Sequence, residues 1–307
     1  MKIFEGASQI NEKLKNPVVT IGNFDGVHLG HQALFRKVID KAHEIGGVSV
    51  VYTFDPHPLK VMDPDRFFPL ITTEVEKERV IEWSGIDILI REKFTKEYAT
   101  LSTDEFVSDV LCNRIQAREV FIGLDYRFGK GRTGTTDLLR NLGEQCGLSV
   151  GILENVEVNG IEVRSTMIRT FILEGKVREA ARFLGRGYTL RGRVVRGSAL
   201  GKKMGIPTAN LEPEKDLYPR SGIFAVRVFV KDYYLQGVLN IGINPTFPEK
   251  GFSLEVHILD FDQDIYGREI ELVFVEKLRD EKKFETPELL VKQIKEDIVK
   301  ARKIFET

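Results

Sequence analysis

The hydrophobic pattern changes its period near Gly185, and this change limits the fold more than any other feature of the chain. Before it, short β-rich runs alternate with helical runs. "PVVTIG", "VSVVYTF", "IDILI", "EVFIG" and "SVGIL" read as buried strands. Between the first two, "GHQALFRKVIDKAHEIG" places Leu34, Val38, Ala42 and Ile45 on a helical period and stops at Gly46. Strand, helix, strand in this order predicts a parallel sheet with right-handed crossovers. "STMIRTFILEGKVREAARFLGR" reads as two short helices broken at Gly175. From Tyr188 onward short strands follow one another: "YTLRGRVVRG", "GIFAVRVFV", "YYLQGVLNIG", "FSLEVHILDF" and "REIELVFVEKL". Turn residues separate them, which predicts a small antiparallel barrel. A last helix is capped by Thr286, opens with Pro287 and carries Leu290, Ile294 and Ile298 on one stripe. Two domains are expected, residues 1–186 and 187–307.

Composition narrows the function. Lysine plus arginine is 45 and aspartate plus glutamate 46, a net charge of −1. That is not the balance of a nucleic-acid binder, so any basic site is local. Cys112 and Cys146 are the only cysteines, so neither a disulfide framework nor a cysteine-rich zinc site is expected. No apolar run reaches the roughly 18 residues of a membrane span. "MKIFEGASQINEKLKNP" lacks a signal-peptide core. A soluble cytoplasmic protein is expected, acting on small molecules. Nothing in the sequence names a protein partner.

"TIGNFDGVHLGHQ", residues Thr20–Gln32, is where chemistry concentrates. His28 and His31 share a face if helical. They could be metal ligands, packed core residues or phosphate donors. A zinc site needs further ligands, and His43, His57 and His257 form no second cluster. The phosphate reading has position in its favour. The pair lies where a parallel strand meets a helix N-terminus among Gly22, Gly26 and Gly30, and such a place offers free N–H groups to anions. "DFDQDIYGREIE" echoes a calcium loop, but Ile265 stands where that loop needs glycine. No phosphate-binding loop of the GxxxxGK[ST] type is present.

"GNFDGVHLGHQ" resembles the HxGH signature of the nucleotidylyltransferases, in the form found in the bacterial bifunctional riboflavin kinase/FMN adenylyltransferase family. Further segments resembling that family follow in order: "TFDPHP", "GLDYRFGKGRTG", "RSTMIR", "GKKMGIPTAN", "YPRSGIFAV", "NIGINPTF", "LEVHILDFD" and "LRDEKKF". The resemblance spans nearly the whole chain. It implies an α/β Rossmann-like nucleotidylyltransferase domain, then a mainly antiparallel β-barrel riboflavin kinase domain with a C-terminal helix. The implied reactions are phosphorylation of riboflavin to FMN and adenylylation of FMN to FAD, both from ATP with Mg²⁺.

In the adenylyltransferase half, the resemblance implies that His28 and His31 hold the ATP phosphates, with Gly22, Asn23, Phe24 and Asp25 lining the nucleotide. It gives the pyrophosphate to Ser165, Thr166 and Arg169, and the FMN end to Phe54, His57, Asp125 and Arg127. In the kinase half it implies an ATP arch at Gly197, Gly201 and Lys202, and Thr208 and Asn210 at metal and phosphates. Glu255 becomes the base, and Arg279 and Phe284 hold riboflavin. Plainer readings stay open for several: Phe54 as core aromatic, Asp125 and Arg127 as solvated loop charges, Ser165 and Thr166 as helix caps, Glu255 as a solvated strand residue. Arg164, Met167, Tyr126 and Asn244 depart from the family pattern. A chain keeping one activity, or a non-catalytic flavin or nucleotide sensor, is therefore the alternative. The HLGH run also echoes class I aminoacyl-tRNA synthetases, against which the lack of a basic extension counts.

Overall fold

The structure, a computed structural model, describes residues 1–197, 205–231, 233–243 and 252–306. Two compact units result: Met1–Phe68 with Thr72–Ser165, and Pro69–Ile71 with Thr166–Thr307.

The first unit is a parallel sheet of β1 (Lys2–Phe4), β2 (Val18–Ile21), β3 (Ser49–Asp55), β4 (Ile88–Lys93), β5 (Glu119–Gly123) and β6 (Ser149–Leu153) in the order β1-β4-β3-β2-β5-β6. All four residues of β2 are buried, as expected for a strand covered on both faces. On one face, α1 (Leu29–Glu44) packs Leu34, Phe35, Val38 and Ala42 against Val18, Val51, Leu89 and Phe121. On the other, Val19, Ile21, Val50 and Tyr52 meet Phe106, Leu111 and Ile115. The latter belong to a helix that starts as α4 (Thr103–Glu105) and widens to a π-helix over Phe106–Ile115. Also present are α2 (Pro58–Met62), α3 (Glu74–Trp83), α5 (Thr136–Glu144) and the small hairpin of β7 (Glu157–Val158) and β8 (Ile161–Glu162). The sheet grows from β2 toward β4, then returns to its other side at β5. Between β2 and β5 the connections diverge, and open α/β sheets bind ligands at the carboxyl side of such a point.

One expectation needs correction here. Cys112 and Cys146, thought too few for a disulfide framework, are joined by a disulfide across a sequence separation of 34 residues. Tertiary packing of the helix carrying Cys112 beside the end of α5 brings them together, which spacing alone does not reveal.

In the second unit, α6 (Ser165–Leu173) and α7 (Val177–Leu184) are separated at Gly175, whose φ of 75° favours glycine. A closed barrel follows, built from β9 (Thr189–Val195), β10 (Ala209–Pro213), β11 (Gly222–Val230), β12 (Tyr233–Ile243), β13 (Phe252–Ile258) and β14 (Glu269–Arg279). Neighbours in the order β10-β13-β12-β11-β14-β9 are antiparallel, and closure leaves no open sheet edge. The final helix α8 (Pro287–Phe305) is capped by Thr286, which accepts from the Leu289 amide at 3.4 Å. Its residues Ile298 and Ala301 pack on Ile223, Ala225 and Val238.

α8 also buries a carboxylate. Asp297 is 1% exposed and accepts three hydrogen bonds from Arg279, two from Nε at 3.1 and 3.0 Å and one from Nη2 at 2.8 Å. Gln293 supplies another at 3.2 Å. Removing one partner of such a pair strands the other charge at a cost of about 3–5 kcal/mol. Asp297→Ala should therefore lower barrel stability by about that amount. Amide exchange in β11 and β14 under mild urea measures it. A loss within about 0.5 kcal/mol, the range of an ordinary surface change, would contradict the assignment.

Candidate functional site

The first candidate site is the turn from β2 into α1. After Gly22 the chain passes through Phe24, Gly26 and Val27 with φ of 49°, 85° and 38°. Positive φ at the two non-glycine positions costs on the order of 1–3 kcal/mol each, so the surroundings must hold it. They do. Phe24 is buried edge-on against His31 at 5.2 Å and Phe35 at 5.0 Å. The Asp25 carboxylate accepts from the Thr72 amide at 3.1 Å, and the Gly26 amide donates to the Thr72 hydroxyl at 3.1 Å. Ser165 Oγ donates to the Asp25 carbonyl at 3.0 Å, and Thr53 Oγ1 to the Asn23 carbonyl at 3.3 Å. Asp25 and Ser165 thus fix the loop as well as bordering it. Thr72 carries no motif in the sequence and was missed.

His28 is the N-cap of α1 and is buried. Its Nδ1 accepts from the His31 amide at a long 3.4 Å. That contact leaves the proton of the neutral ring on Nε2, as a donor. The His28 and His31 rings stack at 3.6 Å and 18°. A Cβ on Gly30 would come within 3.2 Å of the His28 ring, so glycine is what lets the ring lie back along the helix. Two imidazoles at the start of a 16-residue helix, at the carboxyl end of the central strand, make a donor cluster suited to phosphate.

Phe54 and His57 follow β3. Phe54 sits among Tyr52, Phe94 and Tyr98, so its packing role is real. His57 caps α2 by accepting from the Leu59 amide at 3.2 Å, and its ring lies 4.9 Å from Phe68. Lys77, which belongs to no motif in the sequence, is buried on α3. Its Nζ donates to the Phe54 carbonyl at 3.3 Å and pairs with Glu74 at 2.8 Å. Burial pushes the Glu74 carboxyl up, and Lys77 pulls it back. Asp125 and Arg127 are exposed. Arg164 lies 3.4 Å from Asp125 and 2.6 Å from Glu162. Thr166 and Arg169 are grouped with the second unit, where Arg169 Nε donates to the Pro69 carbonyl at 3.0 Å.

The second candidate site is a polar row on the barrel. Asn210 on β10, Glu255 on β13 and Asn240 on β12 stand directly opposite one another, so their side chains share a face. Leu254, Val256 and Ile258 are buried on the other face of β13, while Ser253, Glu255 and His257 are half-buried. Thr208 Oγ1 donates to Glu255 at 3.3 Å. Partial burial raises the Glu255 pKa, and the Thr208 hydrogen bond acts against the rise. A Cβ on Gly197, just past β9, would come within 2.1 Å of the Asn210 side-chain amide, so with any other residue there the Asn210 side chain must shift. Asn240 was not singled out in the sequence; its place in the row comes from the β12–β13 register.

Two family models match the chain, FAD synthetase over residues 10–167 and riboflavin kinase over residues 184–305. The bifunctional riboflavin kinase/FMN adenylyltransferase of Buchnera aphidicola subsp. Acyrthosiphon pisum is 36% identical, over 99% of this chain and 98% of the relative. The Escherichia coli K12 enzyme of the same name is 34% identical, over 99% and 98%. The chain belongs to the bifunctional riboflavin kinase/FMN adenylyltransferase family. It is an enzyme of two domains, an FAD synthetase domain followed by a riboflavin kinase domain. A crystal structure of a Streptococcus pneumoniae protein, described as a macrolide-efflux protein, matches it with a TM-score of 0.88 at 33% identity, over 98% of each chain. Among the described residues of this chain, no helix is long and apolar enough to cross a membrane.

Within the riboflavin kinase domain, Gly201, Lys202 and the departure Asn244 lie outside the described residues. Arg279 is held by Asp297 as above, its Nη1 donates to the Asp280 carbonyl at 2.9 Å, and its guanidinium lies 5.8 Å from the Phe284 ring. Its Nε, Nη1 and Nη2 are thus all hydrogen-bonded within the protein.

Proposed function

We propose that the barrel unit transfers the γ-phosphoryl group of MgATP to riboflavin, and that the parallel-sheet unit transfers AMP from MgATP to the resulting FMN. In the first reaction the riboflavin 5′-hydroxyl attacks the γ-phosphorus, its proton passes to Glu255, and ADP leaves. Glu255 is half-buried and tethered by Thr208, so its carboxylate is both oriented and basic. Thr208 and Asn210 offer neutral oxygen donors, which suit the hard cation that travels with ATP. Arg279 and Phe284 hold the flavin ring.

In the second reaction an FMN phosphate oxygen attacks the α-phosphorus and pyrophosphate leaves. His28 donates from Nε2, and His31 stacks beside it, so developing charge on the phosphate oxygens meets fixed donors. The Gly22–Asp25 turn lines the nucleotide. Phe54, His57, Asp125 and Arg127 serve the FMN end. Small molecules alone are the partners of this chemistry, and the cytoplasm, which holds ATP, is its setting.

The observation that carries the reading is the presence in each unit of its own oriented polar cluster: stacked imidazoles at a helix start in one, a Thr208-tethered glutamate in the other. Isotopic ATP tests it. Phosphorus from the γ-position should enter FMN made from riboflavin, and phosphorus from the α-position should enter FAD alone. Label from neither position in flavin would overturn it.

The raised pKa of Glu255 also sets a pH dependence. A base must be ionised, so riboflavin phosphorylation should fall as pH drops through a value above the ordinary glutamate range. A pH–rate profile of the kinase reaction reads this limb. An acid limb at or below the ordinary glutamate value would contradict it.

A further inference from the structure

The Cys112–Cys146 disulfide takes part in neither site. Cys112 is half-buried on the helix Phe106–Ile115, and Cys146 is exposed just past α5. The bond lies at the amino ends of the strands, since the residues around it, Lys13 to Pro17 and Ala117 with Arg118, lead into β2 and β5. His28 follows β2 at the opposite, carboxyl end.

A cavity of about 460 Å³ opens here, and both cysteines line it. Lys13, Lys15 and Arg118 line it too, with no aspartate or glutamate. Among the described residues none of these three cations makes an ion pair. A second cavity of about 410 Å³ is also lined by both cysteines, with Asp104 and no cation, so the cationic approach is through the first. The disulfide is therefore approachable from more than one direction, unlike a bond sealed in a core. Thiol–disulfide exchange needs an attacking thiolate, and positive surroundings both gather that anion and stabilise the thiolate that leaves.

We infer that Cys112–Cys146 is a thiol–disulfide exchange site for a small anionic thiol, one carrying carboxylate in addition to its sulfhydryl. A thiolate of that molecule attacks Sγ of exposed Cys146, a new S–S bond forms, and the Cys112–Cys146 bond breaks with the electron pair passing to Cys112 Sγ. A second thiolate attacks the small-molecule sulfur of the mixed disulfide and releases Cys146 as thiolate. The two protons lost by the small thiols end on the two cysteines. Two thiols are oxidised to one small disulfide, and the protein disulfide is reduced.

Thiols of opposite net charge test this on the oxidised protein. Glutathione and cysteamine are supplied at equal thiolate concentration, and protein thiols are counted by alkylation and mass spectrometry. Glutathione should react at least about tenfold faster at low salt, and its advantage should shrink to within about twofold in 1 M salt, where screening is nearly complete. The double substitution Lys13→Ala with Arg118→Ala should remove most of the advantage. If that variant does not fold, the salt dependence of the natural protein decides alone. Equal rates for the two thiols would overturn the inference. So would a disulfide that resists both until denaturant is added, which would make it a structural bond only.

Discussion

Glu255→Gln is expected to lower riboflavin phosphorylation by about 10²–10⁴-fold, the usual worth of a positioned general base. The replacement keeps the shape of the side chain and an oxygen for the Thr208 hydroxyl, so the polar row Asn210–Glu255–Asn240 stays assembled. What it removes is the acceptor for the proton of the attacking hydroxyl. FMN adenylylation should be unchanged, because Glu255 belongs to the second unit and the stacked histidines to the first. Separate assays from riboflavin and from FMN read the two rates. Full kinase activity in the variant would remove Glu255 from the role of base. Loss of both reactions in a folded protein would show that the two sites are not independent.

His31→Ala is expected to do the reverse, reducing FAD formation from FMN by about 10²–10³-fold, the loss typical for one donor of a charge-stabilising cluster. His31 stacks on His28 and supports Phe24 from the side, so its removal takes away a donor and loosens the strained turn at once. Riboflavin phosphorylation serves as the internal control, since its residues lie on the barrel. A variant that made FAD at the natural rate would return the histidine pair to ordinary packing.

Much of this was legible in the residues. Apolar runs separated by helical periods fixed the parallel sheet, and the same logic found α1, the break at Gly175 and the Thr286 cap. The barrel followed from closely spaced strands, and the alternation of "FSLEVHIL" put Glu255 on the face opposite Leu254, Val256 and Ile258, which are indeed buried; its role as base came from the family resemblance alone. Short elements escaped. Strand β1 is three residues long and mostly exposed, so it has no periodicity to read, and β10 looks like loop because its five residues run into Pro213. Partnerships made by tertiary packing escaped as well. Asn240 joins Glu255 only through strand register, Thr72 reaches Asp25 across 47 positions, and Arg279 meets Asp297 only because α8 returns to the barrel. Lys77 lies in no motif, and its burial beside Phe54 comes from contact with the neighbouring strand. The disulfide belongs to the same class, since nothing local ties Cys112 to Cys146.

The central claim is that this one chain carries both steps from riboflavin to FAD. Chromatography of the products tests it most directly, with purified protein given ATP and Mg²⁺ and started once from riboflavin and once from FMN. FAD should form from both starts, with FMN passing through as the intermediate of the first. FMN that accumulates from riboflavin without any FAD, or no product from either start, would contradict it.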